Sequence, residues 1–289
     1  MSRSLESESA LSLPDSASKA KLIIGIDFGT TFTGAAYVFQ PDRKKLSVSE
    51  LRNINENIRL IKQWPSRTGA TMDKTPTRLA YINGNPGKWG GSVAPNDSPQ
   101  FAHFKLGLQQ RANRAYSQSD FATLGGYLTD HDWRNPLLPS KRAVDVTTDF
   151  LNCVVQYLLN DRFSKTFGND FLQNQPISYI ITVPAVWSEK AKELTRQAAV
   201  SAGIPSEEIN LITEPEAAAH FCSILCKEVN LKRDDRFLVC DAGGGTVVSV
   251  TLKHLTCRTS SPTRSLRRHQ SWKSSSVLKE TALPVAPFT

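Results

Sequence analysis

An α/β fold, with helices covering a sheet, is the class this chain predicts. Two observations carry that expectation. From Ile177 to Cys240, short apolar runs alternate with segments of helical spacing in the order strand, helix, strand, helix, strand. Two of the apolar strands, one near Leu22 and one near Phe237, also end in an aspartate followed by glycine and threonine. Helices on a sheet need a core, and 39% hydrophobic residues in 289 supplies one, diluted only by Ser- and Pro-rich ends.

Taken in order, residues 1–20 are Ser-rich and acidic-polar and predict a disordered lead. Leu22-Ile-Ile-Gly-Ile-Asp27 and Ala35-Ala-Tyr-Val-Phe39 predict two strands of a hairpin over residues 21–39. Residues 40–100 are punctuated by turn signals such as Trp64-Pro-Ser66, Asp73-Lys-Thr-Pro-Thr77 and Asn83-Gly-Asn-Pro-Gly87. They predict short strands, Arg78–Ile82 among them. Two fragments here imitate enzyme motifs and fail them. Gly84-Asn-Pro-Gly-Lys88 lacks phosphate-loop spacing, and Gly90-Gly-Ser92-Val-Ala94 lacks the second glycine of a nucleophile elbow.

Residues 101–143 are mixed, with a buried Phe-Lys-Leu turn expected within Phe101–Leu108. Val146, Phe150, Val154, Tyr157 and Leu158 recur at helical spacing and predict a helix over residues 144–163. Ile177–Val183 is a β-branched buried strand stopped by Pro184. Ser188 is then a good N-cap with Glu189 in the first turn, and Leu194, Ala198, Ala199 and Ala202 form the apolar face of a helix ended by Gly203 and Pro205. Leu211 and Ile212 predict a short strand. Thr213 and Glu216 have capping-box spacing for a helix through Cys226. Strand Phe237–Cys240 follows.

The stretch Asp241-Ala-Gly-Gly-Gly-Thr246 points to chemistry. Three glycines suit a tight turn whose N–H groups converge on an anion such as phosphate. A carboxylate beside phosphate implies a cation between them, and Mg²⁺ characteristically bridges one or two carboxylates to phosphates. Alone, the stretch reads equally as a Gly-rich hairpin. Its second copy, Asp27-Phe-Gly29-Thr30-Thr31, favours two halves of one polyphosphate site.

Charge and cysteine content exclude other classes. The net charge is +8, but residues 254–289 hold six Lys or Arg against one acid. The remainder is near neutral, so the overall charge does not argue for nucleic-acid binding. Five cysteines without a CxxC pair, and an odd total, predict reduced thiols rather than a disulfide framework. The five histidines show no ligand spacing, so no structural zinc is expected. Without a signal peptide or an apolar run of membrane-spanning length, a cytoplasmic location without membrane contact is expected.

With these residues in view, the chain resembles the nucleotide-binding domain of the 70-kDa heat-shock protein family, within the actin-like ATPase superfamily. Four segments carry the resemblance: Ile24-Gly-Ile-Asp27-Phe-Gly29-Thr30-Thr31, Ile180-Ile-Thr-Val-Pro184-Ala-Val-Trp187, Ile212-Thr-Glu214-Pro215-Glu-Ala-Ala-Ala219 and Asp241-Ala-Gly-Gly-Gly-Thr246. Their order and spacing agree over residues 21–247, and their variants look like the divergent fungal and animal branch. The resemblance implies an actin-like ATPase (ribonuclease H-like) fold, its first lobe plus the start of the second. It implies ATP and Mg²⁺ as ligands and ATP hydrolysis as the activity. Client or co-chaperone proteins are the implied partners of a monomer with no specific nucleic acid.

By position, Asp27 and Asp241 would hold Mg²⁺ mostly through water. Gly29, Thr30, Thr31, Gly243, Gly244, Gly245 and Thr246 would cradle the phosphates. Glu214 would position the attacking water or the metal shell, and Lys105 would stabilise charge on the transferred group. Residue chemistry leaves an alternative at each of the last two: a solvated lysine on an amphipathic turn, and a first-turn carboxylate favoured by the helix dipole.

The resemblance stops abruptly. Val248 stands where the family has a second aspartate, and the following sequence is rich in Ser, Arg, Thr and Pro. This predicts a shortened domain with weak or lost turnover, and a disordered basic tail over residues 248–289, from a changed reading frame or a retained intron, with a genuine disordered basic tail as the alternative. It also predicts that strand Phe237–Cys240 lacks its hairpin partner. Two alternative functions share parts of this pattern. One is a sugar or metabolite kinase relative with the same Asp-Gly-Thr turn. The other is a non-enzymatic fragment whose basic tail binds anions.

Overall fold

The computed structural model describes residues 21–40, 56–109, 140–225, 236–242, 247–257 and 269–281. The expected disordered lead over residues 1–20 lies outside them.

The central sheet is built around β1 (Lys21–Phe28). Its alternate residues Leu22, Ile24, Ile26 and Phe28 are all buried, the period-2 signature of a strand with one face on a core. β1 pairs antiparallel with β2 (Phe32–Gln40), closing the expected hairpin, and parallel with β8 (Ile177–Val183). β8 pairs parallel with β9 (Ile209–Thr213). β3 (Arg59–Leu60) and β4 (Lys74–Pro76) extend the sheet from β2, giving the order β3-β2-β1-β8-β9 with β4 also on β2. A mixed sheet of this order, packed by helices, agrees with the expected α/β class and with an actin-like ATPase fold.

Helix α1 (Ala143–Gln156) begins where periodicity placed it, then widens into a π-helical stretch over Tyr157–Phe163. Two short helices, α2 (Ser164–Phe167) and α3 (Asn169–Asn174), lead into β8. Helix α4 (Glu189–Ser201) is capped by Ser188, whose hydroxyl accepts from the Ala191 amide at 3.2 Å. Helix α5 (Glu214–Leu225) starts directly at the end of β9. The Thr213–Glu216 capping pair forms, though at 3.4 and 3.5 Å it is long.

The core lies between the sheet and α1 and α4. Leu22, Ile24, Ile26, Tyr179 and Ile181 of the sheet meet Val146, Phe150, Val154, Ala198 and Ala199 of the helices. Phe150 is fully buried at the centre, with ring centroids 6.1 Å from Phe28 and 5.5 Å from Phe104.

A second, antiparallel sheet joins β5 (Arg78–Ile82) to β6 (Asn85–Trp89) and β7 (Gln100–Ala102). Here Tyr81 donates its hydroxyl to Asp149 at 2.6 Å, tying this sheet to α1. Burial first, and that carboxylate second, push the Tyr81 phenol well above its ordinary range.

The third sheet corrects an expectation. β10 (Arg236–Ala242) has an antiparallel partner, β11 (Val247–Cys257), which pairs in turn with β12 (His269–Thr281). Regular structure therefore continues through much of the stretch expected to be a disordered tail. Val248 stands directly opposite Asp241. The physical reason was legible: Val248, Val250 and Leu252 alternate with Ser249, Thr251 and Lys253, a half-buried strand pattern. β12 is Ser-rich, lacks that alternation, and its pairing is interrupted by two register shifts.

Among the described residues, no helix is long and apolar enough to cross a membrane.

Candidate functional site

β1, β8 and β9 run parallel, so their carboxyl ends open on one edge of the sheet. Ligands of open α/β sheets bind at that edge, where loops and helix starts converge. Asp27 stands there near the end of β1, Thr182 near the end of β8, and Glu214 at the start of α5. With Ala217, Ala218, Val239 and Cys240 they line one cleft of about 310 Å³. The fold thus brings together Asp27 and Glu214, which are 187 positions apart on the chain.

The Asp27 carboxylate is held from two sides. Thr182 donates its hydroxyl to Oδ1 at 2.9 Å, and Lys74 Nζ donates to Oδ2 at 2.6 Å. Sequence reasoning singled out neither partner. Thr182 lies inside a quoted family segment, but Lys74 looked like part of a turn.

Lys105 resolves one open alternative. It sits in a short 3-10 turn, Phe104–Leu108, and is 1% exposed, not a solvated surface lysine. An ammonium that deeply buried needs partners. Nζ donates to the Phe28 carbonyl and to Glu214 Oε1, the latter at 2.6 Å. The rings of Phe28 and Trp187 flank it at 5.3 and 5.4 Å, a cation–π arrangement. His103, just before the turn, takes a left-handed backbone with φ 57°. Burial first, and the Arg78 charge second, hold its imidazole below the usual range.

The loop after Asp27 is anchored from β4 and the residue beyond it. Buried Thr77 donates its hydroxyl to the Gly29 carbonyl at 2.9 Å and its amide to the Thr31 carbonyl at 2.8 Å. Its hydroxyl proton being committed, Thr33 completes the chain by donating to Thr77 Oγ1 at 2.8 Å. The turn Gly29–Thr31 is thereby fixed directly after cleft-lining Asp27. Thr77 is a positioning residue that looked like turn punctuation in the sequence.

Gly29 is required by space. A Cβ there would lie 2.2 Å from the Phe32 carbonyl oxygen, whereas one at Gly25 would meet nothing closer than 3.9 Å. Gly29→Ala should therefore cost about 1–3 kcal/mol through backbone displacement. Thermal unfolding checks this, with Gly25→Ala as the near-neutral control; equal melting temperatures for the two variants would refute it.

Of the second phosphate turn, Gly243, Gly244, Gly245 and Thr246 lie outside the described residues. The Asp241 backbone belongs to β10, one residue beyond cleft-lining Cys240. Among the described residues, no group of three His, Cys, Asp or Glu side chains could ligate a metal by itself.

No family model matches the chain. Individual proteins do. It is 27% identical over 217 residues to Heat shock 70 kDa protein 12A of Homo sapiens, covering 70% of this chain and 28% of that protein. Heat shock 70 kDa protein 12B of Homo sapiens is 26% identical over 210 residues, with the same coverage. A shorter match, 40% over 106 residues, joins 37% of the chain to 15% of a Chaperone protein HscA homolog of Acinetobacter baumannii. The chain spans little more than a quarter of the length of the two human relatives. Relatives of one kind across 70% of the chain, on a mixed sheet of this order, support a likeness to a divergent nucleotide-binding domain of the 70-kDa heat-shock protein type.

Proposed function

We propose that the cleft at the carboxyl ends of β1 and β8 binds ATP with Mg²⁺ and hydrolyses it, in the service of chaperone-like work on client proteins. The observation that carries this reading is the convergence of Asp27, Glu214 and Lys105 beside the Gly29–Thr31 loop. A cleft lined by two carboxylates, one bonded to a buried ammonium and the other followed by a glycine-threonine turn, suits a polyphosphate and its counter-cation better than an apolar ligand.

The donor set fits Mg²⁺, a hard cation that keeps several waters and takes one or two carboxylates. Asp27 is one of two described carboxylates lining the cleft, and Asp241 follows cleft-lining Cys240 in sequence. When bound, Mg²⁺ supplies charge neutralisation on the phosphates. The chain's residues do the rest. The Gly29–Thr31 loop, pinned by Thr77, presents hydroxyl and amide donors. Glu214 orients the attacking water, its carboxylate held by Lys105. Lys105 places a fixed positive charge where negative charge grows on the transferred group, which is effective in a water-poor site.

Calorimetric titration of the full chain with Mg²⁺ and ATP tests this. Binding is expected, with at least about tenfold loss in Asp241→Ala, since charge-assisted contacts to such a ligand contribute about 1.5–3 kcal/mol each. Absence of binding by the unaltered chain would sink the proposal; unchanged affinity in the variant would remove Asp241 from the site.

A further inference from the structure

Three residues stand in one row across three strands. Asp27 of β1 is directly opposite Gly34 of β2, and Gly34 is directly opposite Lys74 of β4. Residues opposite each other in antiparallel strands project to the same face. A side chain at position 34 would separate the lysine from the aspartate. Gly34 has none, and the lysine stem crosses that space: Cγ and Cε of Lys74 lie 3.1 and 3.6 Å from where a Cβ on Gly34 would be. The ammonium reaches Asp27 Oδ2 at 2.6 Å. The glycine is therefore the passage by which the lysine gains the carboxylate at the mouth of the cleft.

We propose that Lys74 is a tethered cation that holds the metal position on Asp27, so that a divalent ion enters only together with a polyphosphate. This rests on the reading of the cleft as a nucleotide site. A free divalent ion approaching Asp27 meets a carboxylate already neutralised by an ammonium, and is repelled by that ammonium. A metal–polyphosphate complex is net negative and is not repelled. Its phosphate oxygens offer the lysine a new partner when it leaves Asp27. The pair is built to yield: the two side chains are 52% and 41% exposed, and exposed pairs of this kind contribute little to folding. Lys105 differs in this respect, being buried and doubly bonded. The two cleft-lining carboxylates are thus held by one fixed cation and one displaceable cation.

Mn²⁺ alone, with no nucleotide present, is the discriminating probe, read by paramagnetic relaxation of water protons on the full chain. Lys74→Met and Lys74→Gln should each bind Mn²⁺ at least about tenfold more tightly than the unaltered chain, because a unit charge a few ångströms from a divalent ion is removed. Lys74→Arg should bind as the unaltered chain does. Asp27→Asn added to Lys74→Met should abolish the gain. Two neutral replacements guard against one failing to fold, and the arginine variant separates charge from packing. Equal Mn²⁺ affinity in all variants, including none detected in any, would overturn the proposal. A parallel titration with Mg²⁺ and ATP reports separately on the nucleotide reading, so failure of one is not mistaken for failure of the other.

Discussion

Lys105→Met is expected to destabilise the domain by about 3–5 kcal/mol, the cost of removing one partner from a buried ion pair. Two acceptors lose their donor at once. The Phe28 carbonyl and Glu214 Oε1 both depend on the Lys105 ammonium, and Glu214 itself is only 19% exposed. Methionine keeps most of the stem volume between Phe28 and Trp187, so the loss reports on charge and hydrogen bonding more than on packing. Denaturant unfolding measures it. A second change separates the pair from its pieces: adding Glu214→Gln should recover part of the loss, because the orphaned buried charge is then gone. On the proposed reading of the cleft as an ATP-hydrolysing site, Lys105→Met should also lower turnover about 10²–10³-fold, as removal of a preorganised charge does in such sites. A loss below about 1 kcal/mol would show that the lysine and carboxylate find water in place of each other.

Phe150→Ala is expected to cost about 3–5 kcal/mol, as removal of a fully enclosed aromatic ring does. Phe150 is 0% exposed and meets the rings of Phe28, Phe104 and Trp89 at centroid distances of 6.1, 5.5 and 6.1 Å. Two of these neighbours sit one residue from site residues: Phe28 follows Asp27, and Phe104 precedes Lys105. A collapse into the vacated space should therefore also disturb the cleft. The variant should show a lower denaturation midpoint and weaker nucleotide binding, whereas Val200→Ala should change little, Val200 being 39% exposed on α4. Weaker binding without loss of stability would contradict the packing account.

Much of the frame was legible because local pattern and burial agree there. Ile177–Val183 reads as a buried strand and is β8, residue for residue. Arg78–Ile82 is β5, and Ser188 caps α4 as its side chain allows. Where sequence reasoning missed, the deciding term was non-local. Tyr157–Phe163 keeps helical periodicity but winds as a π-helix, against a wall made by other elements: Trp64 and Trp89 lie 6.0 and 5.6 Å from the Tyr157 ring. Composition averaged over residues 248–289 hides β11, although the alternation within Val247–Cys257 is that of a strand. Thr77 and Lys74 look like turn punctuation in sequence because the run Asp73-Lys-Thr-Pro-Thr77 has turn chemistry.

The sequence by itself determined the strand–helix order from Ile177 to Cys240, the glycine-threonine turn after Asp27 and the candidate carboxylates, since each follows from residues within one turn or strand of each other. Only the tertiary structure decided which charges meet. Lys105 and Glu214 are 109 positions apart, Asp27 and Lys74 are 47, and Asp27 and Thr182 are 155. A lysine that looks the same on paper is buried between two rings at position 105 and half-exposed across a glycine at position 74. The difference is one of strand register and depth in the fold. Those set how much water each ammonium keeps, and so how firmly each holds its carboxylate.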